Sequence, residues 1–182
     1  MADRPSQSRS DVDYSRIPES MFTFSVVPIT ARIPDGELET LLRLVYVDGG
    51  FTDASIADSA FLPANVRARG EVLVALDAAG IVIGLVVAVP SGSAACRFAT
   101  RGEAELHLLC VHPEKRRSGV ATALVEAAIA VARQAEARRM LLWTQPSMTA
   151  AQRLYVKHGF ERVPHLDFSK GDRSFLVFAR PI

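Results

Sequence analysis

The segment Arg116-Arg117-Ser118-Gly119-Val120-Ala121 carries the clearest chemistry in this chain. It lies between a strand-like run, residues 104–111, and an alanine-rich run with helical periodicity, residues 120–137. Where a strand turns tightly into a helix, the first backbone N–H groups of the helix lack an intrahelical acceptor. The helix dipole adds partial positive charge there, so the turn is ready to hold an anion. Two arginines beside it suit a diphosphate, and Gly119 and Ala121 are small enough to let a phosphate approach the backbone. Two familiar phosphate-loop patterns are absent. A P-loop requires a glycine five residues before the last one and a lysine after it, but Glu114 and Val120 occupy those positions. No Gly-x-Gly-x-x-Gly follows the first strand. What remains is Arg-x-x-Gly-x-Ala, read on Arg116, Gly119 and Ala121.

Other chemistries find less support. The two cysteines, Cys96 and Cys110, both lie in apolar surroundings and make no disulfide framework, so a reducing cytoplasm is the expected location. His107 and His112 form no zinc-like spacing with them, and no metal is expected. With 49% apolar and 23% charged residues the composition is that of a soluble globular protein. A net charge of +1 gives no reason to expect nucleic acid. The longest apolar stretch, Ile81 to Val89, is broken by Gly84 and is too short to span a bilayer, and no signal peptide pattern is visible, so no membrane association is expected.

The elements that must position the loop follow from periodicity. Residues 1–20 are polar and aperiodic and are expected to be a disordered tail, leaving residues 21–182 as a single domain. Phe22 to Ile29 reads as a first strand. Leu38, Leu41, Leu42, Val45 and Tyr46 recur at helical spacing before Gly49-Gly50, and Thr52 to Phe61 reads as a second helix ending before Pro63. Val72 to Leu76 and Ile81 to Val89 form a hairpin across Asp77-Ala78-Ala79-Gly80. Ser91 to Gly102 is a loop and Ala104 to Val111 a strand. The long helix Val120 to Ala137, a strand Met140 to Thr144, a helix Thr149 to His158 closed by Gly159, and a last strand Phe175 to Ala179 complete the order. This predicts a mixed α/β sheet whose central β-α-β unit is parallel and right-handed.

Three pieces of this sequence together resemble the GCN5-related N-acetyltransferase (GNAT) superfamily. They are Glu105 to Pro113, the loop Arg116 to Ala121, and Ala151-Gln152-Arg153-Leu154-Tyr155 running to Gly159-Phe160. The resemblance covers roughly residues 70–180 by motif and residues 22–65 by element order. It implies a largely antiparallel mixed sheet flanked by helices, with acetyl-CoA as donor and a primary amine, free or in a peptide, as acceptor. Leu109, Cys110 and Val111 would offer backbone groups to the pantetheine arm. Arg116, Arg117, Ser118, Gly119, Val120 and Ala121 would cradle the diphosphate. The family's asparagine position falls on Met148, so a side-chain hydrogen bond from there is not expected. Many members dimerise, which makes a homodimer compatible with the resemblance.

Glu105 matches the acidic position that serves as base in some members. His107 shares its strand face by period two and, with an ordinary pKa near ~6.5, is a second base or relay; water is a third. Tyr155 matches the position that protonates the leaving thiolate, and its ordinary pKa near ~10 keeps it protonated at neutral pH. The acceptor side would be shaped by residues 46–58 and 91–102. Phe51 is a candidate wall, and Asp48, Asp53 and Asp58 are candidate attractors of a cationic amine. The expected function is therefore N-acetyl transfer by direct attack in a ternary complex. The alternative is a non-catalytic acyl-CoA-binding or regulatory module on the same fold.

Overall fold

The protein is described by a computed structural model covering residues 24–30 and 33–182. The expected tail, and the start of the first strand at Phe22, lie outside the described residues. The chain folds as β1 (Phe24–Pro28), α1 (Asp35–Tyr46), α2 (Ala54–Ala60), α3 (Pro63–Arg67), β2 (Glu71–Asp77), β3 (Val82–Pro90), β4 (Glu103–Val111), α4 (Val120–Gln134), β5 (Arg139–Thr144), α5 (Thr149–Lys157), β6 (Glu161–Arg162), β7 (Phe168–Lys170) and β8 (Arg173–Pro181). The main path of the sheet runs β1-β2-β3-β4-β5-β8-β6, and β7 pairs with β8. Every pairing is antiparallel except β4 with β5. The fold is thus the mixed, largely antiparallel α/β sheet with flanking helices that the sequence predicts.

Each face of the sheet carries its own core. Leu38, Leu41, Leu42 and Val45 line the buried stripe of α1, which packs with α2 and α3 against Val72, Val74, Leu85 and Val87. On the other face Val120, Leu124, Val125 and Ala128 of α4 pack against Leu73, Val86, Leu106 and Met140. Alanine lets α4 lie close to the sheet and supplies high helix propensity. Gly84 of β3 marks the tightest contact. A Cβ there would sit 2.9 Å from both the Leu124 and Val120 side chains, at the first turns of α4.

Several boundaries differ from the sequence reading, each for a local reason. The long helix stops at Gln134 rather than Ala137. Glu136 adopts a left-handed φ of 59°, and the Ala137 N–H returns to the Ala132 carbonyl at 3.0 Å. That is a Schellman closure with glutamate where glycine is usual, so no glycine announces it. The second helix is shorter than expected, and Pro63 begins a further helix, α3, as its first residue. The last strand is longer than Phe175 to Ala179 and takes on β7 across a tight turn at Gly171. β6 is too short for periodicity to register.

A Gly84→Val substitution should destabilise the protein by about 1–3 kcal/mol through overpacking between β3 and α4. Urea denaturation checks this, and an unchanged midpoint would show that the α4 seat has slack.

Candidate active site

β4 and β5 run in parallel for only three residue pairs, Glu103–Arg139, Ala104–Met140 and Glu105–Leu141. Beyond these they part. β4 also changes phase: Leu85 faces Cys110 but Val87 faces His107, so β4 holds one extra residue opposite β3. Leu108, with φ 55°, takes up the bulge. After it Cys110 turns to the α1 face and Val111 to the α4 face. A cavity of about 840 Å³ fills the gap. Its α4-side wall includes Gly119, Ala121, Ala151 and Tyr155, and its α1-side wall includes Tyr46, Phe51, Phe61, Arg69 and His107. The cavity therefore connects the two faces of the sheet, in the size range of small-molecule sites.

At one end stands the turn that leads into α4. Gly119 precedes α4 with φ 88° and makes no side-chain cap, and Arg117 has φ 61°. Left-handed residues on either side of Ser118, which has no positive φ, turn the N–H groups here into a concave nest. Among the described residues no protein group accepts from the N–H groups of residues 117–122. Lys115, Arg116 and Arg117 line the cavity beside them. Ser118 is committed locally, its hydroxyl donating to the Lys115 carbonyl at 2.6 Å. These free donors and cations fit a diphosphate. The edge of β4 facing the gap has no strand partner after Glu105, which leaves Leu109, Cys110 and Val111 beside the cavity. The Leu109 carbonyl already accepts the Tyr46 hydroxyl at 2.9 Å.

Glu105 and His107 come together as the strand period requires, but their surroundings differ. Glu105 is 0% exposed and lies behind the cavity wall. Its carboxylate accepts backbone N–H groups of Arg97 at 3.0 Å, Phe98 and Ala99 at 2.7 Å, and faces His107 Nε2 at 2.8 Å. Burial pushes its pKa up, but the hydrogen bonds from His107 and the amides outweigh it and hold the group below the ordinary carboxylate value. An ionised Glu105 requires the proton on Nε2 of His107, leaving Nδ1 with its lone pair. Nδ1 is buried and has no partner among the described residues. Burial lowers the His107 pKa, the Glu105 carboxylate pulls it part of the way back, and Arg69 adds a further lowering. The amides held by Glu105 also bring Phe98 onto Trp143, at 5.8 Å between ring centroids, and Trp143 packs edge-on against His107 at 4.5 Å.

Tyr155 reaches the cavity from α5 with its ring against Phe160 and Phe178. Its hydroxyl has no hydrogen bond among the described residues, and burial raises its pKa. Cys110 is buried, which pushes its thiol up to about 12. Phe51 lines the cavity, its carbonyl taken by Gln145 Nε2 at 2.6 Å and Arg173 Nη1 at 3.2 Å. Met148 also lines it and accepts the Thr144 hydroxyl on sulfur at 3.2 Å. None of Asp48, Asp53 and Asp58 does. Asp58 pairs with Arg43 at 2.8 Å, and Asp53 lies 4.0 Å from Arg173. Arg69, Arg173 and Gln145 also line the cavity; they lie in connecting segments or next to them and carry no motif by which the sequence marks them. Among the described residues there is no cluster of three metal-ligating side chains, and no helix is long and apolar enough to cross a membrane.

The family model for the GNAT acetyltransferases matches residues 38–160. Among solved structures, an acetyltransferase of the GNAT family from Staphylococcus aureus Mu50 superposes with a TM-score of 0.71 at 14% identity, covering 87% of this chain and 98% of that one. A GCN5-related N-acetyltransferase from Kribbella flavida gives 0.68 at 21% identity, covering 88% and 98%. An aminoglycoside 6′-N-acetyltransferase complexed with coenzyme A gives 0.66 at 16% identity, covering 86% and 96%. At such identities the likeness speaks for the fold. No curated protein matches the sequence.

The buried pair makes a pH prediction. His107 in the folded protein should titrate below its ordinary ~6.5, so the unfolded chain binds more protons just under that pH and stability declines as pH falls through that window. Imidazole NMR shifts should place the His107 midpoint below that of a free histidine, and Glu105→Gln should lower it further. A midpoint at or above the ordinary value would contradict the dominance of burial, and an unchanged midpoint in Glu105→Gln would contradict the pairing.

Proposed function

The chain belongs to the GNAT acetyltransferase family, and from that premise we propose that it is an N-acetyltransferase. In this reading it moves an acetyl group from acetyl-CoA to a primary amine by direct attack in a ternary complex. The observation that carries the proposal is the cavity through the sheet. It joins free backbone amides on one face to the His107 and Arg69 wall on the other. A thioester carrier and an amine entering from opposite faces would meet beside the β4 bulge.

The α4 turn holds the diphosphate with its amides, Arg116 and Arg117, and the unpartnered edge of β4 runs along the pantetheine arm. Glu105 acts as a positioning residue: it fixes the His107 tautomer and draws the 97–99 loop over the acceptor wall. His107 Nδ1, directly or through a water, takes the proton that the amine nitrogen releases as it bonds the acetyl carbon. The carbon–sulfur bond breaks in the same exchange, and Tyr155 supplies the proton that makes the leaving sulfur a thiol. Burial keeps the Tyr155 phenol protonated across the physiological range. The high pKa of Cys110 disfavours a thiolate acyl carrier, which supports direct transfer.

Tyr155→Phe keeps the ring packing and removes only the hydroxyl. Turnover should fall about 100-fold while the KM for acetyl-CoA changes by less than about 3-fold. Steady-state kinetics with an amine panel measures both. Unchanged turnover would remove Tyr155 from the mechanism, and CoA binding without transfer to any amine would favour the binding-module alternative.

A further inference from the structure

Among the described residues Arg69 is a half-buried cation on the acceptor wall whose charge no side chain answers. It lies between α3 and β2 and lines the cavity with Tyr46, Phe61 and His107. Its Nη2 donates to the Ala60 carbonyl at 3.3 Å, Nε is buried without a partner, and no carboxylate pairs with it among the described residues. Its backbone is held in place. Ser93 Oγ donates to the Arg69 carbonyl at 2.8 Å, and at the next residue, Gly70, a Cβ would stand 2.2 Å from the Ala88 carbonyl oxygen. The protein thus anchors the backbone that carries this guanidinium on the wall it shares with His107, and leaves the charge without a counter-ion. Burying a charge in this way is unfavourable unless a partner arrives.

The rest of the wall narrows the choice of partner. No aspartate or glutamate lines the cavity among the described residues. Arg173, the other cation at this end, is already engaged by the Phe51 carbonyl and the Thr52 hydroxyl, at 3.2 and 3.3 Å. Polycationic acceptors such as polyamines and aminoglycosides would find no carboxylate on the cavity wall itself, the nearest acidic group at this end being Asp53, 4.0 Å from Arg173. Around Arg69 the surface is apolar and aromatic, from Tyr46, Phe51, Phe61 and Trp143. A single planar guanidinium fork in such a setting matches a monoanionic carboxylate; a phosphate dianion would call for more donors.

We propose that the acceptor is a primary amine that also carries a carboxylate beside an apolar group, as in an apolar amino acid, and that Arg69 binds the carboxylate. This rests on the acyltransferase reading above and narrows it to a substrate class. With the carboxylate on Arg69, the amine nitrogen is directed towards His107, and the apolar group lies against the aromatic wall.

The test compares matched acceptors with acetyl-CoA: phenylalanine, its carboxamide, phenethylamine, and the aminophosphonate analogue, with the leucine series alongside. The amino acid should exceed the carboxamide and the bare amine by about 10- to 100-fold in kcat/KM, mainly through KM. Arg69→Gln should collapse that preference to within about 3-fold, while Arg69→Lys, which keeps a charge but not the fork, should retain part of it. Equal or better use of the carboxamide, the amine or the phosphonate overturns the inference. So does an Arg69→Gln variant that loses activity on all acceptors in equal proportion, since that marks a structural role. If Arg69→Gln fails to fold, a reduced preference in Arg69→Lys supports the inference as well, and an undiminished preference with an unchanged KM overturns it. Calorimetry with acetyl-CoA separates the two levels. Binding without transfer to any member sinks the acceptor assignment alone, whereas absence of binding sinks the acyltransferase reading with it.

Discussion

The consecutive backbone N–H groups of residues 117–122 have no acceptor in the described protein, and the surrounding architecture keeps them so. Such donors carry partial positive charge that no side-chain substitution removes, and a helix dipole concentrates it at one end. Gly119, with φ 88°, turns the chain into α4 without a capping side chain that would consume a donor. Gly84 lets the first turns of α4 settle onto β3, so that the donors stand at the mouth of the gap between β4 and β5. An anion held there is anchored by backbone, and a long ligand is then directed into the cavity.

The second constraint is the short pairing of β4 with β5. Had the two strands stayed in register along their length, the sheet would be closed and its two faces separate. Their divergence after Glu105 and Leu141 opens a passage, and the bulge at Leu108 moves the wall residues that flank it. Burial of Glu105 follows from the same geometry. Its carboxylate is surrounded by amides of the 97–99 loop and by His107, so a charge that would be costly alone is hydrogen-bonded and in turn holds the His107 side of the cavity.

Much of this was legible in the residues. The turn into α4, the long alanine-rich helix, the helix ended by Gly159 and the shared face of Glu105 and His107 are local features, and local spacing encodes them. What was not legible depends on tertiary placement. The bulge at Leu108 lies in a run of strand-forming residues with no glycine to mark it. The α4 closure at Glu136 uses a residue that only its neighbours hold in a left-handed conformation. Arg69 looks like any arginine in a connecting segment, and only the cavity reveals that it lacks a counter-ion. Glu105 reads as an accessible carboxylate until the loop that folds over it is seen. Asp48, Asp53 and Asp58 read as a possible acceptor site, yet none of them lines the cavity.

The most direct measurement is a calorimetric titration of coenzyme A into the native chain and into Gly119→Glu. That variant places a carboxylate among the amides and a bulky residue at a left-handed φ. The account predicts micromolar binding to the native chain, and weakening by about 100-fold or more in a variant whose circular dichroism is unchanged. No heat with the native chain, or equal affinity in both, would contradict it.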